Sequence, residues 1–130
     1  MKFSVDKQEN IIVYEIMEDK LTSANAPVLK SELVLANTEG YKNIVIDLNN
    51  VRFVDSSGLS AILVANRLCN ETDGIFALSG LNDTIKNLIK ISQLEDVLNI
   101  FSTKSDAIEA IQEAGNATDD EDNATISDEE

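Results

Sequence analysis

The residues best suited to chemistry are two adjacent serines in the segment Asp55-Ser56-Ser57-Gly58. The segment follows a short apolar stretch and precedes a long one with helical spacing, so it marks the junction of a strand and a helix. A helix N-terminus has unsatisfied backbone N–H groups, which Asp and Ser side chains can cap. The simplest interpretation is a helix start. The alternative is a regulatory site, because a helix N-terminus also tolerates a phosphate on a serine hydroxyl.

Each residue of this segment has a structural and a functional interpretation. Asp55 either caps the helix or orients a serine hydroxyl, and Ser57 is a second candidate cap. Gly58 lets another backbone approach closely, which a partner protein could use. A phosphate on one of these serines set into an interface would bring repulsion or an unpaired buried charge, so a partner docked over it would be released. Residues 55–58 are therefore candidate partner-binding residues.

The first 40 residues predict a β-hairpin and a helix. Strands at Lys2–Val5 and Ile11–Ile16 flank a polar break, and the second is rich in β-branched and aromatic residues. Thr22 and Ser23 are candidate N-caps for the helix, with Pro27 in its first turn and Gly40 at its end. The inner stripe of this helix is predicted to contain Val28, Leu29, Leu33 and Ala36.

Strands and helices alternate in the rest of the chain. The nearly continuous apolar run Tyr41–Leu48 is typical of a central strand with helices on both faces. A hairpin followed by repeating strand–helix units predicts an α/β fold in which helices pack on a sheet. The further predicted strands are Val51–Val54, Ile75–Leu78 and Val97–Phe101, and a helix follows each of them. The predicted inner residues are Leu59, Ile62, Leu63, Ala65, Leu68 and Cys69 in the first of these helices, Ile85, Leu88 and Ile89 in the second, and Ala107, Ile108 and Ile111 in the third.

The pattern stops near Gly115, which divides the chain into a domain at residues 1–115 and a tail at residues 116–130. The tail has one Ile, no Lys or Arg, and seven acidic residues. Such a segment cannot bury enough apolar surface to offset its ordering entropy, so we expect it to be disordered. A solubilising role is the simplest one, and contact with a basic partner is the alternative.

The composition excludes several classes of function. The net charge of −14 opposes binding to nucleic acid, and the absence of His removes serine–histidine catalysis and the commonest metal ligand. We therefore expect no enzyme, no cofactor and no metal site. The single Cys69 forms no internal disulfide and is predicted to be a small buried hydrophobe. The chain shows no signal-peptide core and no apolar run long enough to span a membrane, so we expect a cytoplasmic location.

The pattern Phe53-x-Asp55-Ser56-Ser57-Gly58-Leu59, preceded by Ile44-x-Ile46-Asp47-Leu48-x-x-Val51, resembles the STAS domain of bacterial anti-sigma-factor antagonists, or anti-anti-sigma factors. The resemblance covers about residues 1–113 and implies a STAS fold, a mixed β-sheet flanked by α-helices. It also implies that the first serine, Ser56, is phosphorylated, with Ser57 as second choice. The kinase would be the anti-sigma factor itself, a GHKL-type ATPase, and a PP2C-type phosphatase would reset the serine. The unphosphorylated form would bind this kinase and release a sigma factor.

One stretch departs from the family pattern. Family members commonly have Gly-x-Leu-Asp before the first helix, whereas this chain has Asp19-Lys20-Leu21-Thr22. Thr22 can still cap a helix but supplies no carboxylate to a partner. Thr22 and Ser23 are thus either caps or contacts to a partner that differs from the family's. The departure leaves open a second function, a STAS scaffold or nucleotide-sensing module in which Ser56 is only a helix start.

Overall fold

The computed structural model describes the backbone of residues 1–127 and the side chains of residues 1–115. Within this part of the chain no helix is both long and apolar enough to cross a membrane. Strands and helices alternate along the chain after an opening hairpin, as the sequence predicts. The elements are β1 (Phe3–Lys7), β2 (Ile11–Ile16), β3 (Lys20–Leu21), α1 (Ala26–Thr38), β4 (Asn43–Asp47), β5 (Phe53–Val54), α2 (Ser56–Glu71), β6 (Phe76–Ser79), α3 (Asp83–Ile91), β7 (Asn99–Phe101) and α4 (Lys104–Ser127).

The main sheet has five strands in the order β1-β2-β4-β6-β7. The hairpin pair β1 and β2 is antiparallel, with Val5 opposite Tyr14, and the other neighbours are parallel. β4 lies in the middle, which confirms the prediction of a central strand. The two short strands β3 and β5 form a separate parallel pair, with Leu21 opposite Val54. β3 was not predicted from the sequence.

Helices cover both faces of the main sheet. Alternate residues of β2 divide between two apolar clusters: Ile12 and Tyr14 pack with α1, α2 and α3, whereas Val13 packs with α4. The same alternation in β4 places Ile44 in the first cluster and Val45 in the second. A strand buried on both faces needs apolar residues at every position, which explains the continuous run seen in the sequence.

Two details of the helices differ from the sequence-based predictions. Val28 does not belong to the inner stripe of α1, because its side chain is 43% exposed, whereas Leu29, Leu33 and Ala36 are buried as expected. The backbone of α4 continues to Ser127 instead of ending near Gly115. The disordered tail predicted for residues 116–130 is therefore not confirmed; its side chains and residues 128–130 lie outside the described part.

Cys69 lies on the inner face of α2, as predicted, and is 1% exposed. Burial raises the pKa of its thiol to about 12, because the thiolate would lose its hydration in the core. The Cys69 thiol is therefore protonated at neutral pH and behaves as part of the core.

Candidate functional site

Asp55 is the N-cap of α2, as the sequence indicates. Its backbone is extended, and its Oδ1 atom accepts a hydrogen bond of 2.9 Å from the Gly58 N–H. The Asp55 carbonyl accepts the first helical bond, from Leu59 N–H at 2.9 Å. The prediction that Ser57 is a second cap is wrong, because the Asp55 carboxylate fills that role and the Ser57 hydroxyl makes no hydrogen bond to the helix. Asp55 also does not orient a serine hydroxyl, because neither the Ser56 nor the Ser57 hydroxyl donates a hydrogen bond to its carboxylate.

The second carboxylate oxygen of Asp55 joins α2 to the loop before α1. Asp55 Oδ2 accepts a hydrogen bond of 3.2 Å from the Ser23 N–H, and Asp55 N–H donates to the Leu21 carbonyl at 3.1 Å. The pairing of β3 with β5 brings the two segments side by side. The structure thus assembles residues 22–23 and 55–58, which are 32 positions apart in sequence, into one surface.

The loop before α1 is held by Asn25, and the prediction that Thr22 or Ser23 caps the helix is wrong. Asn25 is the N-cap residue of α1. Its Oδ1 accepts from Thr22 N–H at 2.9 Å, and its Nδ2 donates to the Lys20 carbonyl at 2.8 Å. Thr22 Oγ1 accepts from Ala24 N–H at 3.3 Å, a local turn of the kind hydroxyl side chains form. The loop is therefore ordered by its own side chains, with Ser23 exposed.

Gly58 is required by the chain's own packing. A Cβ at this position would lie 2.3 Å from the Leu21 carbonyl oxygen and 2.8 Å from Val54 Cγ1. The close approach that we expected for a partner's backbone is thus made by β3 of the same chain. Gly58 is buried, and it sets the distance between α2 and the loop that contains Ser23.

The two serines differ in exposure. Ser56, the first residue of α2, is exposed, whereas Ser57 is only partly exposed. Among the described residues, neither hydroxyl has a hydrogen-bond partner. Ser56 therefore offers an accessible hydroxyl at a helix N-terminus, flanked by the Asp55 carboxylate and the Ser23 loop.

A second polar group at the carboxyl ends of the strands was missed by the sequence reasoning. Asp47 and Ser79 are both buried, and the Ser79 hydroxyl donates a bond of 2.7 Å to Asp47 Oδ1. Nearby, Lys104 Nζ lies 2.8 Å from Glu15 Oε1, which raises the pKa of Lys104. These bonds fasten β4 to β6 and α4 to β2. No cluster of three potential metal ligands occurs among the described residues.

Known proteins are similar to this chain in sequence. The family model described as the STAS domain matches residues 2–107. The anti-sigma-B factor antagonist of Staphylococcus aureus is 25% identical over 101 residues, which are 77% of this chain and 94% of that protein. The protein BtrV of Bordetella bronchiseptica is 24% identical over 114 residues, 88% of this chain and 97% of BtrV.

Solved structures agree on the fold. The anti-sigma factor antagonist SpoIIAA in its unphosphorylated form superposes with a TM-score of 0.70 at 18% identity, covering 85% of this chain and 98% of SpoIIAA. The phosphorylated form of SpoIIAA, from Bacillus, gives a TM-score of 0.69. The fold and the family match define one class of protein, a small domain with a mixed sheet between helices. The chain belongs to the STAS domain family, and the predicted fold class is confirmed.

Proposed function

We propose that this chain is a cytoplasmic anti-sigma factor antagonist switched by phosphorylation of Ser56. The observation that carries the proposal is the exposed Ser56 hydroxyl at the start of α2. The preceding residue, Asp55, joins this helix start to the Ser23 loop through the 3.2 Å hydrogen bond between Asp55 Oδ2 and the Ser23 N–H. The names of the anti-sigma-B factor antagonist of Staphylococcus aureus and of the anti-sigma factor antagonist SpoIIAA support the antagonist part of the proposal. In this proposal the unphosphorylated domain binds an anti-sigma serine kinase, and the sigma factor held by that kinase is released.

The position of Ser56 explains how one phosphate could change binding without unfolding the domain. A phosphate adds about −1.5 to −2 charges, which the partial positive charge of a helix N-terminus accommodates. A partner that covers Ser56 would instead have to bury this charge next to the Asp55 carboxylate, and like charges repel when water is excluded. Phosphorylation therefore blocks docking while the fold remains. Ser57 is the weaker candidate because its side chain is less accessible.

The docking surface consists of residues 22–23 and 55–57 in this proposal, since the structure brings these residues together. The partner is a kinase of the GHKL ATPase type, and a PP2C-type phosphatase removes the phosphate. The chain itself is a substrate and a binding module, not an enzyme. Because Thr22 stands where the family has an acidic residue, the partner's matching position needs no cation.

Peptide mapping by mass spectrometry of the protein from its native cells tests the proposed phosphorylation. We expect one phosphate on Ser56 in wild type and none in Ser56→Ala, with Ser57→Ala unaffected. Absence of the phosphate under every growth and stress condition would refute the switch, and a phosphate on Ser57 would correct the residue.

Affinity capture from the same cells tests the partner. We expect the wild-type chain to recover a GHKL-type kinase and Ser56→Asp to lose it. Ser105→Asp is the matched control, because Ser105 is also exposed in the first turn of a helix, α4, outside the proposed surface. Recovery of the same partner by wild type and by Ser56→Asp would favour the scaffold function instead.

A further inference from the structure

The solvent face of α1 has no charged residue. Six residues of this helix are exposed, and the large aliphatic ones, Val28, Val34 and Leu35, are 43%, 49% and 51% exposed. Its two charged residues, Lys30 and Glu32, lie at the sides and are only partly exposed. The absence of charge is unusual in a chain in which 26% of residues are charged. The α1 face, as we call it, consists of Pro27, Val28, Ser31, Val34, Leu35 and Thr38.

Even the hydroxyls of the α1 face are already bonded. Ser31 Oγ donates to the Pro27 carbonyl at 3.2 Å, and Thr38 Oγ1 donates to the Val34 carbonyl at 3.0 Å. Their donor capacity is used within the helix, so they present mainly carbon and a remaining acceptor to the solvent. The face is thus more apolar than its sequence suggests.

Among the residues whose side chains are described, the exposed aliphatic ones outside α1 lack this arrangement. Ile91 is 70% exposed and Val97 is 50% exposed, but charged residues such as Lys90 and Asp96 stand directly beside them in the sequence. Single exposed apolar side chains are normal on protein surfaces, whereas contiguous ones mark contact sites. The α1 face runs along a helix of 13 residues, a length of about 20 Å.

The size and position of the α1 face indicate what covers it. A stripe about 20 Å long and about 10 Å wide is about 200 Å², far below the roughly 800 Å² that each partner buries in a stable interface. A second copy docked on this face alone would therefore be unstable. The acidic residues 116–130 are also a poor match, because seven carboxylates would meet a face without a cation.

The α1 face begins close, along the chain, to the loop that borders Ser56. Its first residue, Pro27, follows the loop whose Ser23 N–H is bonded to Asp55. We propose that the α1 face is the second half of the docking surface for the anti-sigma kinase, and that it binds an uncharged apolar strip on that kinase. This inference rests on the proposed function and assigns a separate role to α1. The α1 face contributes binding affinity that the phosphate on Ser56 does not change.

The two halves make separable contributions to binding. Leu35 lies 12 residues along the chain from Ser23, so it stands more than two helical turns from the loop. Substitutions at distant residues that touch no common residue usually change the binding free energy additively. Substitutions in the α1 face therefore weaken binding of both the unphosphorylated chain and Ser56→Asp by the same factor.

Isothermal titration with the purified anti-sigma kinase, identified by the capture experiment, tests this role. We expect Leu35→Asp to raise the Kd by at least about 30-fold and Leu35→Ser by about 5-fold, since a buried charge without a partner is the costlier change. The matched control is Ile91→Asp, which places the same charge on an exposed aliphatic position of α3 and should leave the Kd unchanged. Circular dichroism of each variant checks that the fold is retained.

Two results would overturn the role of α1. The first is Leu35→Asp binding the kinase as tightly as wild type. The second is a concentration-dependent dimer in sedimentation equilibrium that Leu35→Asp dissociates, because a second copy would then cover the face. If Leu35→Asp weakens binding while Ser56→Asp does not, the α1 role stands and the proposed phosphorylation switch fails.

Discussion

Replacing Gly58 by Ala should destabilise the domain although alanine is the better helix former. The new Cβ would lie 2.3 Å from the Leu21 carbonyl oxygen and 3.0 Å from the Leu21 carbonyl carbon. Backbone atoms cannot rotate away, so α2 and β3 must separate by about 1 Å, and such overpacking costs about 1–3 kcal/mol. The separation also stretches the hydrogen bonds of Asp55 to Leu21 and Ser23, each of which contributes about 1 kcal/mol. The higher helix propensity of alanine offsets about 1 kcal/mol, so the free energy of unfolding should fall by about 2 kcal/mol.

Urea denaturation followed by circular dichroism measures this loss, with Gly115→Ala as the matched control. Gly115 also lies in a helix, α4, but a Cβ there has nothing within 4 Å. Gly115→Ala should therefore be neutral or more stable than wild type by up to about 1 kcal/mol. If Gly58→Ala proved as stable as wild type, the close approach of Gly58 to the Leu21 carbonyl would be contradicted.

Three further substitutions test the remaining contacts. Asp55→Ala should cost about 2 kcal/mol in urea denaturation, and Asp55→Asn about half of that, because Asn keeps the cap to Gly58 but offers no second acceptor to Ser23; equal losses would contradict the two-bond geometry. Ser79→Ala should cost about 2 kcal/mol, since it leaves the buried Asp47 without its 2.7 Å donor, and an unchanged midpoint would refute this. Cys69→Ala should flatten the alkaline loss of stability. The unfolded thiol ionises near 9.0 and the folded one near 12, so raising the pH removes protons from the unfolded state first and favours it. Relative to the variant, wild type should lose about 1.4 kcal/mol between about pH 8 and about pH 10, and parallel pH profiles would contradict the buried thiol.

The main sheet could be predicted from the sequence because its strands have strong local patterns. Continuous apolar residues in β4 indicate burial on both faces, and the β-branched run Ile11–Ile16 indicates a strand whatever surrounds it. β3 has no such signal. Two residues, Lys20 and Leu21, cannot show a period, and they are extended only because β5 lies beside them.

The candidate site shows the same division between local and distant contacts. The cap at Asp55 could be predicted, because an N-cap and its helix are neighbours in sequence. The bond from Ser23 to Asp55 spans 32 residues, and nothing in either segment reveals the other. The side chains of Thr22 and Ser23 are suitable for capping, but α1 begins three residues later, at Ala26, and its N-cap residue Asn25 makes no side-chain hydrogen bond to the helix. The exposure of Val28 could not be predicted either, because α1 has apolar residues at helical spacing on two faces: Leu29, Leu33 and Ala36 on the buried one, and Val28 and Leu35 on the exposed one.

The most direct test of the proposed switch is the Kd of the anti-sigma kinase for the chain with and without phosphate on Ser56. A homogeneous phosphoprotein, prepared by incubation with the kinase and ATP and verified by mass spectrometry, would be titrated by calorimetry beside the unmodified chain. We expect the phosphate to raise the Kd at least about 100-fold, or about 2.8 kcal/mol, because the complex would have to bury it beside the Asp55 carboxylate. Equal affinity of the two forms would contradict the proposal that Ser56 controls docking.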